Sequence, residues 1–308
     1  MNDTDFYVYK ANKAQREYVL ERVPIQDKQK RENAIIYVAV DKTANIIGRI
    51  VIQEKDVPAP IMGKYWFLFN LFVHPDFRRK GIATKLVNEI KRQAEFFNIV
   101  YLYGSANATL EASMFYLKQN FTLHAYGKPQ DDKTKPLWYG NYSHWFSYCI
   151  RRKPLSDKNG SVPIRAISKD EIPYLIENYE PNEKRKEYFL SRTDNIFGFA
   201  AIGKEDEIEG VLLAMPDSMQ APLDSIRWWV FLFVEPEHRN HGIGQSLIFQ
   251  LYQYAQEKNV IQLSNFDSTE NNIGFWYKIG FDIFFWDINP RTGKRPTTAM
   301  LRVSHDHQ

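Results

Sequence analysis

The sequence predicts two tandem α/β domains, each built from a β-sheet with helices packed against it. A motif is repeated, since the segment at 71–83 recurs at 232–244, with Arg78 and Arg239 lying 161 positions apart. Strand-length apolar runs and amphipathic helical segments also follow one another in the same order in both halves. A chain of 308 residues is near the size at which one core gives way to two domains. We therefore expect domains at 1–152 and 163–308, joined by a polar linker at 153–162.

In the first half, β-branched and aromatic runs predict strands, and apolar residues at helical spacing predict helices. The polar turn at 41–45 between two such runs predicts a hairpin. The expected strands are 6–10, 35–40, 46–53, 65–73, 99–103, 122–126 and 145–151, and the expected helices are 13–22, 84–97 and a segment that ends before Phe121.

The second half repeats this order. Gly48 and Gly210 lie 162 positions apart in equivalent strands, which extends the repeat beyond the motif itself. The expected strands are 197–202, 210–215, 228–234, 260–263, 282–287 and 297–303, and the expected helices are 245–258 and a segment that ends before Phe281. Asn120 and Gly280 each follow the second helix, where a residue that tolerates a left-handed backbone is favoured.

The repeated motif itself has the composition of a phosphate-binding cradle. In each copy a strand and a proline-marked turn lead into Arg-x-x-Gly-x-Ala or Arg-x-x-Gly-x-Gly, followed by an amphipathic helix. Small residues at the fourth and sixth positions let backbone N–H groups come close to an anion. The N-terminus of the following helix adds a partial positive charge. Each half is thus predicted to bind a phosphorylated ligand.

Composition and charge exclude several classes of protein. A net charge of +3 with interspersed signs is too small for a nucleic-acid-binding protein. Cys149 is the only cysteine, which excludes a disulfide framework and a cysteine zinc site, and its neighbours predict a buried strand position. The first residues lack the pattern of a secretory signal, and no apolar run reaches the roughly 18 residues of a membrane span. We expect a cytoplasmic protein with no metal, nucleic-acid or membrane partner.

The order of these elements resembles the GNAT acetyltransferase superfamily, and it does so in both halves. In each half the cradle is followed by a helix with a matching end, F-Y-L-K-Q-N-F up to Phe121 and F-W-Y-K-I-G-F up to Phe281. The resemblance implies a mixed sheet that splays open between its fourth and fifth strands, with the pantetheine arm of acyl-CoA in the opening. It also implies direct transfer of an acetyl group from acetyl-CoA to the amine of a small molecule or peptide.

The resemblance assigns residues to a CoA site in each half. Strand residues would hydrogen-bond the pantetheine arm, and the amides of the cradle would hold the pyrophosphate. In the first half these residues are Leu71, Phe72, Val73, Arg78, Arg79, Lys80, Gly81, Ile82, Ala83 and Thr84, with Asn107 toward pantetheine. In the second half they are Leu232, Phe233, Val234, Arg239, Asn240, His241, Gly242, Ile243, Gly244 and Gln245.

The halves differ at the position that the family uses as a general acid. Tyr116 stands where a tyrosine of the family protonates the departing CoA thiolate, although it is also compatible with an ordinary helix-face aromatic. The second half has Trp276 there, whose indole N–H is too weak an acid for this role. We therefore expect the N-terminal domain to be catalytic, and the C-terminal domain to have lost the chemistry while still able to bind CoA.

Several points stay open at the level of the sequence. The family's general base is commonly a carboxylate on the long strand, and neither 65–73 nor 228–234 contains one. The segment at 125–144 either shapes the acceptor pocket or packs as a surface hairpin. The alternative functions are a non-catalytic acyl-CoA-binding or sensing protein, and a tandem transferase with an active C-terminal domain, as in mycothiol-synthase-like enzymes. Both a monomer and a homodimer are compatible with the sequence.

Overall fold

The computed structural model describes residues 6–25, 27–57, 61, 63–107, 110–126, 143–150, 155–156, 162–216, 227–268, 272–285 and 297–303. The chain divides into two compact units, Met1–Arg152 and Lys153–Gln308. Each unit is built on a seven-stranded mixed sheet with helices packed against it. The predicted fold class, two tandem α/β domains with mixed and splayed sheets, is confirmed.

The N-terminal unit begins with a short strand and two helices that precede the central hairpin. Its described elements are β1 (Phe6–Lys10), α1 (Lys13–Glu21), α2 (Lys28–Glu32), β2 (Ile35–Asp41), β3 (Ile46–Asp56), β4 (Lys64–Val73), a 3₁₀ turn (Pro75–Phe77), α3 (Ile82–Phe96), β5 (Tyr101–Asn107), α4 (Leu110–Lys118), β6 (Thr122–Tyr126) and β7 (Ser143–Cys149).

The C-terminal unit repeats this order of helices and strands, with one additional 3₁₀ turn. Its described elements are β8 (Ile164–Ala166), α5 (Ile172–Tyr179), α6 (Glu183–Leu190), a 3₁₀ turn (Thr193–Asn195), β9 (Phe197–Ile202), β10 (Ile208–Pro216), β11 (Arg227–Val234), a 3₁₀ turn (Pro236–His238), α7 (Ile243–Glu257), β12 (Gln262–Ser268), α8 (Ile273–Lys278), β13 (Asp282–Phe285) and β14 (Thr297–Arg302).

The two sheets have the same topology. The N-terminal sheet runs β1-β2-β3-β4-β5-β7-β6, and the C-terminal sheet runs β8-β9-β10-β11-β12-β14-β13. The pairs β4–β5 and β11–β12 are parallel, whereas the other neighbours are antiparallel. Each parallel pair is joined through a helix, α3 or α7, as a parallel connection requires.

Helices cover both faces of each sheet, and a repeated glycine permits one of these contacts. On one face α1 packs in a cluster with Ile36, Val38 and Val51, and α3 covers the other. A Cβ added at Gly48 would lie 2.9 Å from Cγ2 of Ile82 in α3. At Gly210, the equivalent contact with Ile243 of α7 would be 3.0 Å. The 162-residue spacing of these glycines therefore reflects close helix–strand packing in both units.

Four elements were not predicted from the sequence patterns, namely α2, β8, α5 and α6. Two of these helices have weak apolar patterns, because α2 has the sequence KQKRE and α6 begins EKRK, and β8 is only three residues long. The fifth strand of each sheet was predicted too early. It begins at Tyr101 or Gln262 because the N–H groups of Ile99 and Val260 donate instead to the last turn of the preceding helix, at 2.8 and 2.9 Å.

Other local predictions are confirmed. Asn120 and Gly280 have φ angles of 59° and 101° after their helices, and Cys149 is buried at the end of β7. The segment at 125–144 and the linker at 153–162 lie largely outside the described residues, as does Asn271. Among the helices that are described, none is long and apolar enough to cross a membrane.

Candidate functional site

Each sheet opens between its parallel strands. The β4–β5 ladder ends at the pair Leu68–Gly104, although β4 continues to Val73 and β5 continues to Asn107. In the second domain the ladder ends at Trp229–Ser264, and β11 continues to Val234. Beyond these pairs the two strands no longer pair with each other through backbone hydrogen bonds. A ligand can therefore pair with the strand edge there.

The opening in the N-terminal domain forms a cleft of about 650 Å³. It is lined by the end of β4, the cradle, the end of β5 and one face of α4. Its lining comprises Leu68, Phe69, Asn70, Leu71, Phe72, Val73, Phe77, Arg78, Arg79, Gly81, Ile82, Ala83, Thr84, Ser105, Ala106, Glu111, Ala112, Phe115 and Tyr116. The strand end, the cradle and Tyr116 are thus brought together around one cavity.

The C-terminal domain has an equivalent cleft of about 740 Å³. Its lining comprises Leu232, Phe233, Val234, His238, Arg239, Asn240, Gly242, Ile243, Gly244, Gln245, Asn272, Phe275, Trp276, Lys278 and Ile279. Nine of the ten residues assigned to each CoA site by resemblance (Asn107 aside) line the respective cleft. The exceptions are Lys80 and His241, which occupy equivalent positions in the two motifs.

The backbone of each cradle has an unusual conformation. Arg79 and Gly81 have φ angles of 61° and 80°, and Asn240 and Gly242 have φ angles of 65° and 88°. Each glycine is also the N-cap of a 15-residue helix, in a left-handed conformation and without a side-chain cap. The first N–H groups of α3 and α7 thus lack a capping side chain, which leaves them available to an anion. A Cβ at Gly81 would meet no heavy atom within 4 Å, so the space above the cradle is open.

The first arginine of each motif holds the turn to the strand. Nε of Arg78 donates a hydrogen bond to the carbonyl oxygen of Val73 at 3.3 Å, and Nε of Arg239 donates to Val234 at 2.9 Å. Lys80 instead lies over the ring of Phe77, with its ammonium 5.0 Å from the ring centroid. The repeated arginine therefore fixes the geometry of the cradle, while the lysine packs on Phe77 and does not line the cleft.

Tyr116 lines the N-terminal cleft from α4. Its side chain is buried, and its ring is stacked on Phe146 with centroids 3.7 Å apart. Burial raises the pKa of the Tyr116 phenol. The phenol is therefore protonated at neutral pH and can act as a hydrogen-bond donor in the cleft.

Gly104 is needed for this stacking arrangement. A Cβ at Gly104 would lie 2.4 Å from Cζ of Phe146, which is its partner across the β5–β7 ladder. The ring of Phe146 therefore packs over Gly104 on one side and against the ring of Tyr116 on the other. The three residues Gly104, Phe146 and Tyr116 thus form one packing unit, which we call the tyrosine platform.

The C-terminal domain replaces all three members of the platform. Asn265 and Ala299 pair where Gly104 and Phe146 pair in the first domain, and Trp276 takes the position of Tyr116. The second domain thus has a smaller residue in the place of Phe146 and a larger aromatic side chain in the place of Tyr116. The side chain of Asn265 donates a hydrogen bond to the carbonyl oxygen of Val230 at 3.2 Å, at the point where the second sheet opens.

Trp276 lines the second cleft. Its side chain is 3% exposed, and its indole N–H has no hydrogen-bond partner among the described residues. An unpaired buried donor costs about 1–3 kcal/mol.

A bulge is present in only one of the two long strands. The β3–β4 register passes from Val51–Asn70 to Ile52–Leu68, which leaves Phe69 as an extra residue, whereas β10–β11 is regular. Phe69 lies where the first sheet opens. Because it is an extra residue, equivalent positions of this strand in the two domains lie 162 residues apart before it and 161 residues apart after it. An extra residue bends the strand and leaves its backbone unpaired in the ladder.

Several cleft residues were missed by the sequence analysis. They include Phe115 and Phe275, which precede Tyr116 and Trp276, and Glu111 in the first turn of α4. Glu111 is the only carboxylate among the described residues that line the first cleft. Asn107 closes β5 ahead of α4, and its side chain lies outside the described part of the structure. Within the residues that are described, no group of three or more His, Cys, Asp or Glu residues could hold a metal.

Comparisons with known proteins match both halves of the chain to one family. Residues 32–123 match the family model described as "Acetyltransferase (GNAT) domain", and residues 161–281 match the model described as "Acetyltransferase (GNAT) family". Together the two matches span more than half of the chain. Comparison with the curated proteins gave no match.

Solved structures align with one half of the chain at a time. A GNAT-family acetyltransferase from Staphylococcus aureus is 15% identical, covers 47% of this chain and 99% of its own, and has a TM-score of 0.34. Arabidopsis thaliana NAA60 in complex with acetyl-CoA is 16% identical and covers 47% and 98%, with a TM-score of 0.37. The IAA acetyltransferase from Bacillus cereus is 16% identical and covers 46% and 96%, with a TM-score of 0.34.

Proposed function

Because this chain belongs to the GNAT acetyltransferase family, we propose that it transfers an acetyl group from acetyl-CoA to an amine, with its N-terminal domain as the catalytic unit. The observation that carries this proposal is the N-terminal cleft, which is lined both by the cradle at the uncapped N-terminus of α3 and by Tyr116. An anionic ligand at the cradle with a reactive group near Tyr116 fits this arrangement.

The residues of the chain fit acetyl-CoA as a co-substrate. The open space above Gly81 and the uncapped amides of α3 suit a pyrophosphate. The free edge of β4 from Phe69 to Val73 offers backbone hydrogen bonds to an amide-containing arm. When bound, acetyl-CoA supplies the thioester whose carbonyl carbon is attacked.

In the reaction that we propose, the side chains position the reactants, and one of them donates a proton to the leaving group. The amine nitrogen forms a bond to the thioester carbon, and the C–S bond then breaks. Tyr116 transfers its phenolic proton to the departing sulfur, so that CoA leaves as the thiol, and the phenolate then regains a proton from solvent. The backbone at the Phe69 bulge faces the developing oxyanion. The proton that the amine loses leaves through water or through Glu111, the carboxylate at the cleft.

The C-terminal domain serves in this proposal as a second CoA-binding unit without acid catalysis. Its cradle repeats the left-handed pair of backbone conformations and the uncapped helix. Its indole N–H at Trp276 can donate a hydrogen bond but cannot transfer a proton at neutral pH. β11 lacks the bulge, and the residues of the tyrosine platform are replaced. Both differences favour the N-terminal domain as the catalytic unit.

A second candidate function is a non-catalytic acyl-CoA-binding protein. The C-terminal cleft favours it, because its described lining contains no carboxylate and no tyrosine. CoA release in the presence of amine acceptors distinguishes the two functions.

The proposal is tested by release of free CoA thiol from acetyl-CoA over a panel of amines. We expect Tyr116→Phe to lower kcat by about 10²-fold or more, because the departing thiolate loses its acid. Trp276→Phe is the matched control on the other helix and should leave kcat within about twofold of wild type on the same scale. Full turnover in Tyr116→Phe together with loss in Trp276→Phe would assign catalysis to the C-terminal domain.

A further inference from the structure

Arg49 places a guanidinium group on the face of the N-terminal sheet opposite α3. The register of β2, β3 and β4 puts Arg49 on the same face as Val38 and Phe72. Val38 packs in the cluster formed with α1, so this is the α1 face. Arg49 is partly buried there, and burial lowers the pKa of its guanidinium below the ordinary arginine value. The pKa of an arginine is high enough that the group stays charged at neutral pH.

The contacts of Arg49 hold it in place without neutralising it. Its Nε donates a hydrogen bond to Oδ1 of Asn70 at 3.1 Å, and the guanidinium lies over the ring of Phe72 at 4.4 Å from the centroid. Within the described residues, no carboxylate pairs with Arg49. Because Nε is occupied, the two Nη groups form the end of the fork that can bind an anion bidentately.

The position of Asn70 connects Arg49 to the proposed reaction. Asn70 lines the N-terminal cleft, one residue after the Phe69 bulge where the sheet opens. α3 and its cradle lie on the other face, so a CoA ligand occupies that side of the opening. An acceptor amine must then approach the thioester from the α1 face, where it meets Asn70 and Arg49.

The second domain shows that the fold does not require a cation at this position. Val211 pairs with Phe233 as Arg49 pairs with Phe72, and Val211 is fully buried in the cluster under α5 and α6. The position of Asn70 is taken there by Phe231. The polar pair Arg49–Asn70 is therefore a feature of the first domain alone.

We propose that Arg49 binds a carboxylate carried by the acceptor, so that the N-terminal domain acetylates amines that also bear a carboxylate group. This inference rests on the proposed function. A single guanidinium balances a monoanion such as a carboxylate. Asn70 is a positioning residue in this arrangement, because it orients the fork of Arg49 beside the cleft.

The test is a binding measurement that does not depend on turnover. N-acetyl derivatives of glycine, phenylalanine, lysine and glutamine, each as the free carboxylate and as the carboxamide, are titrated calorimetrically into the full chain, with and without saturating CoA. We expect at least one pair in which the carboxylate binds about tenfold or more tightly than its amide. In Arg49→Met and Arg49→Gln this ratio should fall to near one.

Controls separate a specificity role from a structural one. Arg22→Gln removes a neighbouring cation of α1, which stacks on Tyr18, and should leave the ratio unchanged. Arg49→Lys should give an intermediate ratio, because a lysine lacks the fork. CoA affinity should be the same in all variants.

Two results would overturn the inference. One is a wild-type protein that binds no carboxylate member more tightly than its amide, and the other is a preference that persists in both Arg49→Met and Arg49→Gln. Failure of the proposed function would be seen differently. The wild-type protein would then bind no CoA, or would release no CoA thiol with any amine of the panel.

Discussion

At the scale of single residues, the difference between the two domains is a coordinated exchange rather than one lost tyrosine. Gly104, Phe146 and Tyr116 in the first domain correspond to Asn265, Ala299 and Trp276 in the second. A flat phenylalanine needs a glycine opposite, and a large indole needs a small residue beside it. The residue at the general-acid position, Tyr116 or Trp276, therefore differs together with the pair of strand residues that is equivalent in the two domains.

The role of Gly104 can be tested through stability. We expect Gly104→Ala to lower the free energy of unfolding of the N-terminal domain by about 1–3 kcal/mol, because its Cβ would overlap the Phe146 ring. Denaturant unfolding of the full chain measures this change.

Gly274→Ala is the matched control. An added Cβ at this position in α8 meets nothing within 4 Å, so the change should stabilise the helix by about 0.5–1 kcal/mol. If both variants shifted stability equally, the tyrosine platform would not depend on close packing at Gly104.

At the scale of elements, α3, α7 and α5 each have a distinct local arrangement at their start. The glycine N-cap starts α3 and α7, and leaves their first amides to a ligand. α5 starts differently, because Glu171 accepts hydrogen bonds from the backbone N–H and hydroxyl of Ser168 at 2.8 Å. Arg165 pairs with the same carboxylate, at 2.5 Å from its Oε1.

These contacts make the stability of α5 dependent on pH. The hydrogen bond from Arg165, followed by the bonds from Ser168, lowers the pKa of Glu171 from 4.5 to about 2. A carboxylate with a depressed pKa stabilises the folded state above its unfolded pKa, and this contribution is lost as the pH falls through the folded pKa.

We therefore expect Glu171→Gln to lower the midpoint of thermal unfolding at pH 7. The difference from wild type should shrink between pH 4.5 and about 2. Asp170→Asn, an exposed neighbour, serves as the control and should show no such trend. A difference that stayed constant over this range would exclude the carboxylate as its source.

At the scale of the whole molecule, two equivalent clefts on one chain predict two binding sites for the same ligand. Both cradles share the left-handed backbone pair and a 15-residue helix without a side-chain cap. Native mass spectrometry of the full chain should detect two bound acetyl-CoA molecules. One site should remain in either Gly81→Asp or Gly242→Asp, because a carboxylate at the cradle repels a phosphate.

Gly81→Asn and Gly242→Asn are the controls for these variants. Asparagine has nearly the same shape as aspartate, tolerates a left-handed backbone and carries no charge. Each control should retain more ligand than its charged counterpart. A single ligand in the wild type that is lost only on changing Gly242 would leave the second domain as the CoA-binding unit, and would remove the basis for assigning catalysis to Tyr116.

Much of this architecture could be predicted from the sequence because it depends on local patterns and on the repeat. The strands around Gly48 and Gly210, the two cradles and the turns at Asn120 and Gly280 are encoded by nearby residues. α2 and α6 escaped prediction because packing, rather than an apolar stripe of their own, stabilises them. The start of β5 was misplaced because a hydrogen bond to the end of α3 competes with strand pairing.

The sequence by itself determined the duplication, the α/β class of each domain, the cradle motifs and the contrast between Tyr116 and Trp276. Each of these is carried by residue identity or by spacing along the chain. Only the tertiary structure decided that Phe69 is a bulge, that Phe146 supports Tyr116, and that Arg49 lies beside the opening of the sheet. The physical reason is that strand register and ring stacking join residues distant in sequence, and these contacts form only when the whole sheet assembles.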